Sequence, residues 1–201
     1  IWWYQIVGGE IHIIESYAKS AGSPSHFASQ ISGIKTTIDI IDGEPVVTTG
    51  EPIAGLEHRK KYEYGCHWLP HDARAKTLAA SGKSVQQQLA AAFGWGQVRI
   101  TPSLSIVDGI AAARTTFPRC WFDESNCADG LKALRKYRRD TQADEVSLQR
   151  NPKHDWTSHY ADAFRYLSIA WREEVLPSAE PEPELDAWGR PTSADDDWMT
   201  L

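Results

Sequence analysis

Ile1-Trp2-Trp3-Tyr4-Gln5-Ile6-Val7-Gly8-Gly9-Glu10-Ile11-His12-Ile13-Ile14-Glu15-Ser16-Tyr17 is the stretch from which the fold can be read. Two runs rich in aromatic and β-branched residues flank a glycine pair, and such a pair supplies the positive φ angles that a two-residue hairpin turn requires. The reading is two antiparallel strands. A sheet therefore begins at once, and the rest of the chain must extend it or cover it. The first residues read as the interior of a strand, so the chain is expected to be the downstream part of something longer.

Working outward, Phe27, Ile31 and Ile34 recur at helical spacing and predict a short helix on that sheet. Ile38 to Ile41, Asp42-Gly43 and Pro45 to Thr48 read as a second small hairpin, with the proline at an edge; residues 36–52 read as an insertion. Cys66-His67-Trp68-Leu69 is a buried strand stopped by Pro70, which delivers His71 and Asp72 into a loop. A helix over Ser84 to Phe93 and a strand over Gln97 to Thr101 follow. Ser105 caps a helix over Ile106 to Thr116, with Asp108 three residues on. Cys120-Trp121-Phe122 is another short strand and Asp129 to Arg139 another helix. The last helix carries Tyr160, Phe164, Leu167 and Trp171 on one stripe, with Ser158 as its cap and Pro177 as its stop. Strands alternating with helices after a leading hairpin predict an α/β sheet of mixed direction with helices on its faces. In such sheets functional groups gather at the carboxyl ends of strands, and Asp72 occupies one such position.

The composition fits one globular domain: 201 residues, 41% hydrophobic and 24% charged. No apolar run approaches the ~20 residues of a membrane helix. Three scattered cysteines point to a reducing compartment rather than a disulfide scaffold. The net charge of −6 lies wholly in residues 177–201, where seven acids face Arg190 alone. Residues 1–176 are neutral, so an acidic total does not count against a nucleic-acid partner. The Glu-Pro repeats of the tail have the composition of a solvated or docking segment.

His154-Asp155-Trp156-Thr157-Ser158-His159-Tyr160-Ala161-Asp162 is the densest chemical cluster. His159 and Asp162 are three apart, which on a helix places an imidazole and a carboxylate where they can share a cation. The competing reading is that the acids complement the helix N-terminus and the histidines are partly buried packing groups. Lys132, Arg135, Lys136 and Arg139 form a basic stripe at i, i+3, i+4 and i+7, either a solvated face or a contact for phosphates. Arg59, Lys60 and Lys61 are a weaker basic candidate. Ser81-Gly82-Lys83-Ser84 ends like a phosphate-binding loop but has Thr77 where the first glycine belongs, so it is read as a helix cap.

The string from His154 to Tyr166 resembles the final motif of the nuclease domain of phage terminase large subunits, and Leu69-Pro70-His71-Asp72-Ala73 resembles that domain's middle motif. The segments Val98 to Pro102, Asp108 to Arg114 and Ala133 to Arg139 are similar to the same family, over about residues 1–173 in all. The resemblance implies a ribonuclease H-like mixed sheet flanked by helices, and a metal-dependent endonuclease that cuts concatemeric double-stranded DNA during packaging. It implies Asp72 and Asp162 as catalytic metal ligands and His159 as a further ligand or proton-handling neighbour, around two Mg²⁺ or Mn²⁺ ions. Its expected partners are double-stranded DNA, an upstream ATPase domain, the small terminase subunit and the portal protein, in the host bacterial cytoplasm with no membrane. The family's first catalytic Asp lies on the strand before the opening hairpin. The expectation is thus a domain lacking its first strand and a weak or inactive nuclease if the chain starts at Ile1. Another ribonuclease H-like enzyme of resolvase or transposase type, or a non-catalytic assembly module, are the rivals.

Overall fold

In the computed structural model, residues 1–138 and 152–175 are described, apart from the side chains of residues 79 and 173–175. The chain divides into two units, Ile1–Ala170 and Trp171–Leu201. The second is described only in the last turn of its helix, and the acidic tail expected over 177–201 lies outside the described residues.

The elements run β1 (Trp2–Val7), β2 (Glu10–Ser16), α1 (Pro24–Ser32), β3 (Ile34–Ile41), β4 (Glu44–Pro52), β5 (His67–Leu69), α2 (Val85–Phe93), β6 (Val98–Ile100), α3 (Ile106–Thr116), β7 (Cys120–Phe122), α4 (Ala128–Lys136) and α5 (Trp156–Val175). The class is mixed α/β, as expected, but the strands form three small sheets rather than one. Antiparallel β1 and β2 carry β7 parallel on the far side of β2, β3 pairs antiparallel with β4, and β5 pairs parallel with β6. With three residues each, β5, β6 and β7 make only short ladders.

Local chemistry accounts for most of the boundaries. Gly8 and Gly9 at φ 59° and 85°, and Asp42 and Gly43 at 53° and 80°, close the two hairpins with paired left-handed residues. Ser23 caps α1 ahead of Pro24, and Gly33 ends it at φ 69°. A Cβ at Gly33 would sit 2.4 Å from the Leu56 carbonyl oxygen, so this end of α1 also demands the absent side chain. The hydroxyls of Ser29 and Ser25 accept the N–H groups of Thr36 and Ile38 at 2.8 and 2.9 Å, which satisfies the edge of β3. Ser84 and Gln87 form a full capping box on α2, so the Ser81–Ser84 string is a helix start. Ser105 caps α3 through the Asp108 N–H.

Two helix ends differ from expectation. α4 stops at Lys136, because Tyr137 turns extended at ψ 127°; the predicted continuation to Arg139 fails there, and Arg139 itself lies outside the described residues. α5 begins at Trp156, and its cap is Asp155 rather than Ser158. The Asp155 carboxylate accepts the Thr157 N–H at 2.9 Å and the Thr157 hydroxyl at 2.6 Å, which holds it below the usual carboxylate pKa range. Ser158 instead donates to the Asp155 carbonyl at 2.7 Å.

Two cores result. The first is aromatic: Trp2 packs edge-on against Phe122, Tyr160 and Phe164, Phe117 joins Phe122 and Phe164, and the Trp2 indole N–H donates to the Tyr160 carbonyl at 3.0 Å. The β2 residues Ile11 and Ile13 are fully buried. The second is mostly aliphatic, with Ala28 of α1, Ile38 of β3 and Leu89 of α2 buried together and Val47, Leu69, Ala92 and Phe93 packed around them. No helix among the described residues is long and apolar enough to cross a membrane.

Candidate functional site

Pro70 ends β5, and the next residues wind into a 3-10 turn over His71–Arg74. That turn carries Asp72 on its exposed surface while Ala73 is buried beneath it. The neighbouring element is α5. Its Tyr166 hydroxyl lies 3.3 Å from His71 Nδ1, with the rings 6.2 Å apart. Burial raises the Tyr166 pKa, Arg165 opposes the rise, and Asp72 and Asp162 both add to it. One phenol therefore feels both carboxylates, which come from positions 90 residues apart in sequence.

Asp162 sits one turn before Tyr166 on α5. Its side chain is 42% exposed, and Oδ1 is 3.2 Å from Nη2 of Arg165, whose own side chain is 14% exposed. Tyr137 completes this surface: burial raises its pKa, Asp162 raises it further, and Arg165 lowers it. The cluster thus comprises two carboxylates, one guanidinium, two phenols and an imidazole. The sequence alone does not single out Arg165, although its i, i+3 spacing from Asp162 is a standard ion-pair signal.

His159 points to different company. Its Nε2 is 3.2 Å from the Ser20 hydroxyl and its ring is 6.0 Å from that of His154. It lines an open groove of about 260 Å³ with Lys19, Ser20, Asp129, Trp156 and Tyr160. Asp72 thus follows the His71 that Tyr166 touches and Asp162 lies one turn before Tyr166, while His159 stands beside Ser20.

The basic residues separate as well. Lys132, Arg135 and Lys136 are exposed on α4, whose Gly130 and Ala133 are buried. A Cβ at Gly130 would lie 2.3 Å from the Trp2 ring, so this helix is pressed on the aromatic core with its cations outward. Arg59 is not a surface cation. Its side chain is 4% exposed, with Nε 3.0 and 3.1 Å from the two Glu15 carboxylate oxygens, Nη1 2.6 Å from the Gln30 carbonyl, and the guanidinium 4.4 Å from the centre of the Trp3 ring. Its expected phosphate contact is overturned by that burial. His67 is likewise internal, between Tyr64 and Phe93 at 5.0 and 4.4 Å; burial lowers its pKa to about 4.

As a metal site the cluster is partial. Asp72 and Asp162 offer hard oxygen donors of the type Mg²⁺ and Mn²⁺ prefer. Among the described residues, however, no group of three or more His, Cys, Asp or Glu side chains converges closely enough to hold an ion. The chain matches no family model, no curated protein and no solved structure.

Proposed function

We propose that this chain is a DNA endonuclease domain of the phage terminase large-subunit type, built on a ribonuclease H-like arrangement. The observation that carries the reading is a placement: Asp72 stands on the turn after a parallel strand, whose His71 lies 3.3 Å from the Tyr166 hydroxyl, and Asp162 stands one turn before Tyr166 on the closing helix. The opening antiparallel hairpin and the parallel β5–β6 pair spanning α2 support it.

In this reading Asp72 and Asp162 are the residues that would hold Mg²⁺ or Mn²⁺, and the chemistry such an ion would supply is activation of water and stabilisation of the leaving oxygen of a phosphodiester. The chain's own residues do the rest. His71 and Tyr166 fix the Asp72 turn against α5 through their 3.3 Å contact. Lys132, Arg135 and Lys136 give a sequence-independent attraction for the DNA backbone, which weakens as salt rises.

A plasmid-nicking assay with Mn²⁺, Mg²⁺ or EDTA tests this. Metal-dependent cutting is expected to fall about 100-fold or more in Asp72→Ala and Asp162→Ala, the scale on which loss of one fixed charge-stabilising group acts. Undiminished cutting by both variants would sink the assignment.

A second reading has its own observation. Among the described residues no three His, Cys, Asp or Glu side chains form a group that could hold a metal ion, and Asp162 is already paired with Arg165, which favours a non-catalytic module that binds DNA. DNA binding without cutting, together with a melting temperature that neither Mn²⁺ nor Mg²⁺ raises, would select it.

A further inference from the structure

Among the described residues, Arg165 is the cation of the Asp72–Asp162 cluster, and the fold is shaped around it. Its aliphatic stem crosses α3 at Gly109, where a Cβ would stand 2.4 Å from Arg165 Cδ and 2.6 Å from Cγ. Glycine is a poor residue for the interior of a helix. At this position it provides the channel along which the arginine reaches Asp162. The head group lies over the Tyr166 ring at 5.1 Å, and its buried Nε has no hydrogen-bond partner among the described residues.

The ion pair itself is weakly made. The contact from Nη2 to Oδ1 is 3.2 Å, longer than the roughly 2.7–2.9 Å of a strong charge-assisted bond, and Asp162 remains 42% exposed. A guanidinium carries five donors in a planar fork suited to two-point contact with carboxylate or phosphate. Here a nearly buried guanidinium has donor capacity left over beside an accessible carboxylate. Two acidic groups alone would repel an anionic substrate. A cation fixed beside them by a dedicated glycine offsets that repulsion.

We infer that Arg165 is a phosphate-binding residue of this site, with the carboxylate of Asp162 occupying its guanidinium until a phosphodiester group of DNA replaces it. The inference rests on the DNA-directed reading above but not on cleavage, so it can be tested without metal. The alternative it must beat is a structural lock, in which Arg165 does nothing but fix Asp162.

The experiment is fluorescence anisotropy of a labelled short DNA duplex in EDTA, titrated between about 50 and 200 mM salt. Arg165→Gln is expected to weaken binding about 10-fold and to reduce the slope of log K against log salt by about one, the signature of one lost phosphate contact. Asp162→Asn should change binding the other way, tightening it several-fold because the competing carboxylate is gone. Arg165→Lys keeps the charge and should keep the slope, which guards against a folding defect in the glutamine variant. Unchanged affinity and slope in Arg165→Gln, or weakened binding in Asp162→Asn, would overturn the inference in favour of the lock. If neither cutting nor a metal-dependent rise in melting temperature is seen while the binding shifts appear as stated, the nuclease reading fails and the phosphate ligand stands. Metal-dependent cutting with no shift for Arg165→Gln does the opposite: the nuclease reading stands and the phosphate ligand fails.

Discussion

The aromatic core and the aliphatic core of this protein are held by different means. Around Trp2, large rings from β1, β7, α5 and the Phe117 turn interlock, and the strand residues Ile11 and Ile13 are completely enclosed. Around Leu89, smaller side chains from α1, α2 and β3 meet with Val47 of β4 and Leu69 of β5, and the same elements also bury polar groups: Ser29 on α1, Thr36 on β3 and Gln88 on α2. Asp162 belongs to a helix seated on the first core, Asp72 to a turn seated on the second. The candidate site therefore forms where the two meet, and its geometry depends on the links between them. Those links are polar: Arg59 to Glu15 and Gln30, Tyr64 between the Trp3 indole and the Ile31 carbonyl, and Tyr166 to His71.

Breaking the aromatic core should have the largest effect. Trp2→Ala removes a ring that touches three others and deletes the indole donor to the Tyr160 carbonyl. A loss of about 3–5 kcal/mol is expected, the range for large aromatic truncations in a packed interior. Urea denaturation measures it. A loss below about 1 kcal/mol would mean that this core does not dominate the fold.

Next in size is the link itself. Arg59→Ala leaves Glu15 as a buried carboxylate without its main counter-charge, a change that costs about 3–5 kcal/mol at comparable buried pairs. Arg59→Met combined with Glu15→Leu removes both charges and should recover much of that loss, because the desolvation cost goes with them. The informative comparison is between these two proteins by thermal melting. If the double variant is no better than the single one, the pair acts through geometry rather than charge.

The same contrast explains what can be read from the chain alone. Local signals are legible: the glycine hairpin, the Ser84 and Ser105 caps and each of the short strands depend on residues within a few positions of one another. Non-local pairing is not. Nothing near Arg59 announces a partner 44 residues earlier, so a buried ion pair looks like a surface patch. Three-residue strands do not encode which neighbour they join, so the pattern predicts one sheet where there are three. At α5 two acceptors, Asp155 and Ser158, compete for one cap, and the carboxylate takes it. Asp72 and Asp162 stand out from motif order; the contact of Tyr166 with His71 and the ion pair to Arg165 emerge only from the packing of α5 against the His71 turn.

The smallest expected effect would sharpen the comparison by pH. The aromatic core contains no histidine among the described residues, whereas His67 lies inside the other region between Tyr64 and Phe93 with a buried, unpartnered Nε2. Burial lowers its pKa from 6.5 to about 4. Between those values the unfolded chain takes up a proton that the folded chain refuses, so stability is complete above pH 6.5 and declines as pH falls toward 4. A shift of this size corresponds to roughly 3 kcal/mol at its full extent, reached only below about pH 4. His67→Phe keeps the ring contacts and removes the titration. The variant should match or exceed the wild type near neutral pH, and its melting temperature should fall less between about pH 7 and pH 4. Carboxylates titrate in the same window in both proteins, which is why the difference between the two curves, rather than either curve, isolates His67. Parallel curves would show that protonation at His67 is accommodated, and that the aliphatic region opens enough near acid pH to hydrate an imidazolium.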